Sequence, residues 1–292
     1  MKDSHHVSRR RFLQEAALFV PALSMLRRRE GAFLTEIGVC TRLANVAVLA
    51  AGGCAYVEEG VRSFLVPEEP EEKFAAMLAS LREAPLPALV CNGFLPGRLK
   101  AVGPEAKPED VLAYAGISFR RAARAGVGTI VWGSGESRKI PDGWAKAKAE
   151  EQFRDLARRT ATLAASSGII LALETLHRGE TNFINNLKEG AAMVDAVGHP
   201  NFRLLADFYH LLQEGETPDD VVACGRRLHH CHIAEKERRT PPGTAGDDFR
   251  PFLKALRKIG YGGRLSLEGR WDDLPGQVGP AVAALKKQIA EA

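Results

Sequence analysis

The sequence predicts an α/β fold, a closed (β/α)8 TIM barrel, and three observations carry the prediction. Short apolar runs of strand length alternate with longer amphipathic stretches from about residue 34 onward, the pattern of βαβ units and a parallel sheet. Eight such runs over ~260 residues match the ~250 residues of a typical closed barrel. The rival is a doubly wound open sheet, which places a Gly-rich phosphate loop after a strand. Gly133-Ser134-Gly135 follows the fourth run, but no third glycine completes that pattern.

Taken in order, the strand-like runs are residues 34–39, 55–58, 88–91, 129–132, 169–173, 202–206, 228–233 and 264–267. Residues 74–82, 111–125, 145–167, 187–197, 218–227, 249–259 and 279–290 read as helices. Ala125-Gly126-Val127-Gly128 and Ser167-Gly168 have the form of helix C-caps before a strand. Thr217-Pro218-Asp219-Asp220 opens a helix with an N-cap, a proline at the first helical position and acids in the first turn. Ile259-Gly260-Tyr261-Gly262-Gly263 ends another helix. No low-complexity linker divides the chain. Residues 31–292 are therefore read as one barrel domain behind an N-terminal segment, residues 1–30.

The 292 residues are 45% hydrophobic and 26% charged, as in an ordinary globular protein. No stretch reaches the ~18 uninterrupted apolar residues of a membrane-spanning helix. The net charge of +4 belongs to the N-terminal segment, where seven basic residues face Asp3, Glu15 and Glu30. The remaining chain is neutral, which argues against a nucleic-acid surface.

Within that segment, Ser8-Arg9-Arg10-Arg11-Phe12-Leu13-Gln14 has the form of a twin-arginine export signal. An apolar run from Ala16 to Leu26 follows, and Ala22-Leu23-Ser24 offers a small-x-small cleavage site. The expectation is export to the periplasm. The alternative is a cytoplasmic protein with a basic N-terminal arm. Five cysteines, Cys40, Cys54, Cys91, Cys224 and Cys231, form no CxxC pair and no disulfide framework.

Active sites of such barrels lie at the C-terminal ends of the strands. The last four runs all close on polar residues: Glu174, Asp207, His230-Cys231-His232 and Glu268. Three carboxylates converging on one rim repel one another unless a cation neutralises them. A divalent metal with three oxygen ligands and one imidazole nitrogen resolves this. That hard set suits Mn²⁺ or Mg²⁺, with Co²⁺ or Zn²⁺ as alternatives. His230, one step deeper in the barrel than His232, reads as a packing or supporting residue. Glu58 and Glu59 close the second run. Trp132, Phe94, Trp144, Phe208 and Trp271 lie near the ends of the runs, where barrel packing is the default for most and sugar stacking is the alternative.

These residues resemble the xylose-isomerase-like barrel superfamily, in particular the sugar isomerase/epimerase family that includes the ketose 3-epimerases. The motifs are Glu174-Thr-Leu-His-Arg-Gly-Glu180, Asp207-Phe-Tyr-His210, His230-Cys-His232-Ile-Ala-Glu with Arg238 six residues beyond His232, and Leu265-Ser-Leu-Glu268. The resemblance implies Glu174, Asp207, His232 and Glu268 as metal ligands, with Glu174 and Glu268 also the catalytic acid/base pair. It implies Glu180, His210 and Arg238 as substrate-binding residues, and a homo-oligomer. His177 departs from the pattern, because these epimerases commonly carry Asn there.

The expected chemistry is epimerisation or isomerisation of a ketose or related carbonyl-polyol through an enediolate, with one Mn²⁺ as Lewis acid. The alternatives are a dehydratase or lyase on a sugar derivative in the same scaffold, or a non-catalytic sugar-binding protein. A trinuclear-zinc endonuclease is disfavoured by the scarcity of histidines and by the neutral body. The expected partner is a small-molecule sugar, with no nucleic acid and no membrane span.

Overall fold

A computed structural model of the chain describes residues 33, 34 and 36–292; the twin-arginine-like motif lies outside the described residues. Eight parallel strands close into a barrel in chain order. They are β1 (Ile37–Cys40), β2 (Tyr56–Gly60), β3 (Ala88–Asn92), β4 (Thr129–Trp132), β5 (Ile170–Glu174), β6 (Phe202–Asp207), β7 (Leu228–Ile233) and β8 (Arg264–Leu267). β8 closes on β1, with Gly38 opposite Ser266.

The helices are α1 (Val46–Ala51), α2 (Glu71–Arg82), α3 (Pro108–Ala125), α4 (Gly135–Arg138), α5 (Lys146–Ala165), α6 (Leu187–Val197), α7 (Phe208–Glu214), α8 (Pro218–Cys224), α9 (Arg250–Lys258) and α10 (Leu274–Glu291). Each strand run expected from sequence overlaps an observed strand, although the first begins at Ile37 and not at residue 34. Leu34 sits instead in a turn with φ of 51°. Three short helices, α1, α4 and α7, have no counterpart among the expected ones. They are too short to show a helical period. The reading of α8 as residues 218–227 runs too far, because the α-helix stops at Cys224 and a 3-10 turn follows.

Side chains alternate across each strand, so one set faces the barrel interior and the other faces the helices. Outside β4, Trp132 packs edge-on to Phe94 at 5.4 Å and against Phe153 at 5.0 Å, while Phe153 meets Phe183 at 5.6 Å. Each such aromatic contact adds ~0.5–1.5 kcal/mol beyond area burial. Phe208 packs on Phe252 at 5.3 Å.

The interior is filled in layers. Tyr56, Val90, Val131, Ala172 and Leu205 form an apolar layer. The Tyr56 ring crosses toward β1 and β8, where its hydroxyl meets Ser266 Oγ at 2.7 Å. Gly38 makes this crossing feasible, since a Cβ there would stand 2.3 Å from the ring. Two residues further along several strands, the same face turns polar: Glu58, Asn92, Glu174, Asp207, His232 and Glu268. The parallel register therefore raises a ring of donors and acceptors at the C-terminal mouth. Among the described residues, no helix is long and apolar enough to cross a membrane.

Candidate active site

Glu174, Asp207 and His232 each sit on the inward face at the end of a strand, and Glu268 follows β8 directly. One ligand atom of each lies within 4.8 Å of the others. His232 and Asp207 are fully buried. His232 Nδ1 faces Glu268 Oε2 at 2.9 Å and Glu174 Oε1 at 3.2 Å. Asn92 donates to Glu268 Oε1 at 3.3 Å. Gly133 leaves room for Glu174, since a Cβ at 133 would stand 2.2 Å from Oε2.

The electrostatics separate the acids. Burial and the negative charge of Glu268 push Glu174 up to about 7. Burial also raises Asp207, against the pull of Arg239. Glu268 goes the other way. Burial opposes its ionisation, but the charges of His232 and Arg239 prevail and bring it to about 2. His232 lies well above the usual histidine range, because Glu58 and Glu268 outweigh its burial.

A cation already stands at these carboxylates. Arg239 Nη2 donates to Glu268 Oε2 at 2.6 Å and to Asp207 Oδ2 at 3.0 Å, and Nη1 reaches Glu180 Oε1 at 3.4 Å. Its guanidinium lies 4.7 Å from the centre of the Tyr209 ring. Arg238, named from the sequence, lies elsewhere. Its side chain is 72% exposed and its nearest acid is Asp272 at 4.0 Å. Arg238 and Arg239 both take positive φ, 55° and 56°, so the turn sends the two side chains apart. Glu235 organises this loop. It is fully buried and accepts from Thr240 Oγ1 at 2.9 Å and from the backbone N–H groups of Gly243 at 2.8 Å and Gly246 at 3.0 Å.

His210 stands beside the cluster at the start of α7. Its Nδ1 receives the backbone N–H of His177 at 3.3 Å and faces His177 Nδ1 at 2.8 Å. Burial and the charge of Arg239 lower its pKa to about 3, so the ring is neutral. A neutral ring that accepts at Nδ1 carries its hydrogen on Nε2. That Nε2 has no hydrogen-bond partner among the described residues, although Asp207 Oδ2 lies 3.4 Å away. Glu180 is more open and joins this group through His177 Nδ1 at 3.8 Å.

The structure thus brings together Glu174, Asp207, His232, Glu268, Glu180 and His210. Three site residues were passed over in the sequence: Arg239, Glu235 and Arg138. The first two sit in a charge run that looks solvated. Arg138 ends α4, fully buried, and its guanidinium nitrogens have no acceptor among the described residues. Burial lowers it to about 10, against the charges of Glu174 and Glu180. Glu58 does face inward and contacts His232, as described below.

The donor set fits a divalent cation. Three carboxylates and one imidazole converge, and the guanidinium of Arg239 among them shows that the position attracts positive charge.

The chain is similar to known proteins. The profile of the xylose isomerase-like TIM barrel family matches residues 46–290. L-ribulose 3-epimerase of Methylomonas sp. (strain DH-1) is 40% identical over 111 residues, and ketose 3-epimerase of Arthrobacter globiformis is 33% identical over 111 residues. Each match spans 38% of this chain and 38% of the relative. Among solved structures, D-allulose 3-epimerase from Methylomonas sp. superposes with a TM-score of 0.73 at 25% identity, covering 88% of this chain and 99% of that one. D-psicose 3-epimerase from Clostridium cellulolyticum H10 gives 0.74 at 18% identity, over 87% of this chain and 99% of that one, a likeness of fold. The chain belongs to the xylose isomerase-like TIM barrel family.

Proposed function

We propose that this protein is a divalent-metal-dependent sugar epimerase or isomerase acting on a ketose or a related carbonyl-bearing polyol. The observation that carries the reading is the convergence of Glu174, Asp207, His232 and Glu268 at the C-terminal mouth of the barrel. These four residues would hold the metal, for which Mn²⁺ is the expected ion. When bound, it supplies Lewis-acid polarisation of a carbonyl oxygen.

The residues of the chain supply the rest. Glu174 and Glu268 rise from different strands and both border His232 Nδ1, so a carbon held between them meets a carboxyl group on either side. One removes the proton beside the carbonyl and the other returns a proton from the opposite face. His210 offers its Nε2–H to a substrate oxygen. Arg239 and Glu180 bind further oxygens, and Arg239, which also contacts Glu180, holds Glu268 in place. The relatives named above, epimerases of ketoses, support this substrate class. The twin-arginine-like motif supports export.

The test is solvent exchange. Protein loaded with Mn²⁺ is incubated with a panel of ketoses in D₂O. Deuterium appears at the carbon beside the carbonyl of the true substrate, and Glu268→Gln abolishes it. Stoichiometric metal without exchange on any sugar sinks the epimerase reading and favours elimination or simple binding.

A further inference from the structure

Beside the proposed metal ligands, on the inward face of β2, lies a carboxylate with no role in the chemistry above. Glu58 of β2 is fully buried. Its Oε1 receives His232 Nε2 at 2.9 Å. Its Oε2 faces His230 Nε2 at 2.9 Å and accepts from Ser266 Oγ at 2.6 Å. Ser266 is held in turn by the Tyr56 hydroxyl at 2.7 Å. A lone ionised carboxylate costs several kcal/mol or more in such a place, so its partners explain its presence.

The geometry has a consequence for His232. A ring nitrogen that faces a carboxylate must carry the hydrogen, because two acceptors would repel. Both nitrogens of His232 face carboxylates, Nε2 that of Glu58 at 2.9 Å and Nδ1 those of Glu268 at 2.9 Å and Glu174 at 3.2 Å, so without a metal both carry a hydrogen. A cation among Glu174, Asp207 and Glu268 would displace the hydrogen on Nδ1, and Glu58 would keep the other on Nε2. A flipped ring would lose this bond. A carboxylate behind a ligating imidazole also raises the basicity of the nitrogen in front.

We propose that Glu58 is a positioning residue: it locks His232 with Nδ1 presented to the divalent cation, and the Tyr56–Ser266–His230 set holds Glu58 in turn. The inference rests on the metal site proposed above. If Glu58 served only to fill the barrel, its charge would not matter to metal binding.

Glu58→Gln separates the two roles. The amide keeps the shape and still accepts from His232 through its oxygen, while its NH2 group takes the place of the oxygen that faces His230 Nε2 and accepts from Ser266 Oγ. Both of those neighbours can turn to accept, and the charge is lost. Three quantities are measured on the full chain. They are the Mn²⁺ dissociation constant by calorimetric titration, the unfolding temperature without added metal, and the His232 tautomer by ¹⁵N NMR of the imidazoles. With diamagnetic Mg²⁺ bound, the parent shows the Nε2–H form. Glu58→Gln keeps the unfolding temperature and weakens Mn²⁺ binding about 10–100-fold. Should that variant fail to fold, Ser266→Ala removes one bond to Glu58 and weakens binding about 3-fold, a modest share of that effect. Equal Mn²⁺ constants in parent and variants overturn the role of Glu58 while leaving the metal site intact. A parent that binds no divalent cation overturns the metal site, and this inference with it.

Discussion

Arg239 is tied to Glu268 twice: its Nε donates to the Glu268 backbone carbonyl at 2.9 Å and its Nη2 to the carboxylate at 2.6 Å. The loop after β7 is thereby bolted to the end of β8. The neighbouring Arg238 makes no such contact. Arg239→Met is expected to lower kcat/KM for proton exchange by roughly 10²-fold, the scale of losing a preorganised charged donor. Arg238→Met should change it less than about twofold, as for an exposed ion pair. Steady-state kinetics on the two variants checks this, and the reverse ranking would refute the assignment of the loop.

Gly133→Ala tests how tightly the site is packed. The new methyl would sit 2.2 Å from Glu174 Oε2, the free end of a side chain. The carboxylate yields more readily than the backbone does, so the cost falls on the position of the ligand. Mn²⁺ affinity should fall about 10-fold. The unfolding temperature without metal should change little. Calorimetric titration and thermal unfolding give both numbers.

His177→Asn bears on substrate choice. His177 donates its backbone N–H to His210 and stacks on that ring at 5.0 Å between centroids. The shorter side chain keeps the backbone bond and loses the stack. KM should shift several-fold across a panel of ketoses while kcat for the best one stays within about threefold, the signature of altered binding. Identical KM values across the panel would show that His177 does not read the substrate.

Glu216 gives a pH prediction away from the site. It accepts the Leu187 N–H at the start of α6 at 2.8 Å, and its Oε2 has no partner among the described residues. Burial raises its pKa from 4.5 to about 7. Below pH 4.5 the folded and unfolded chains both hold this proton. From 4.5 to 7 the unfolded chain releases it first, so the group's contribution to stability falls as the pH rises. Glu216→Gln keeps the acceptor and removes the titration. It should match the parent at pH 4 and exceed it by about 1 kcal/mol at pH 8, a figure reduced for partial exposure. Parallel unfolding curves at the two pH values decide it.

The strands and the four convergent residues were legible because a buried parallel strand is a short apolar run, and an acid closing such a run stands out. Glu174, Asp207 and His232 needed only the two-residue period to be placed on one face. The arginines were not legible. Arg238 and Arg239 differ by one position in a turn whose positive φ values no pattern announces. Arg138 is the last residue of a four-residue helix too short to show a period. Glu58 was visible as an acid at the end of a run, but its partners lie more than 170 residues later, on β7. Only barrel closure brings them together.

That last distance bears on how the chain assembles. The first four strands leave the ribosome carrying a carboxylate destined for the interior, while the groups that make it tolerable there arrive with β7 and β8. A fragment ending after β4 would have to leave Glu58 wet or protonated, and neither suits a closed core. The amino-terminal half is therefore poorly suited to stand as an autonomous folding unit. Ring completion should be a late, cooperative event, with the ligand geometry appearing together with the last strands.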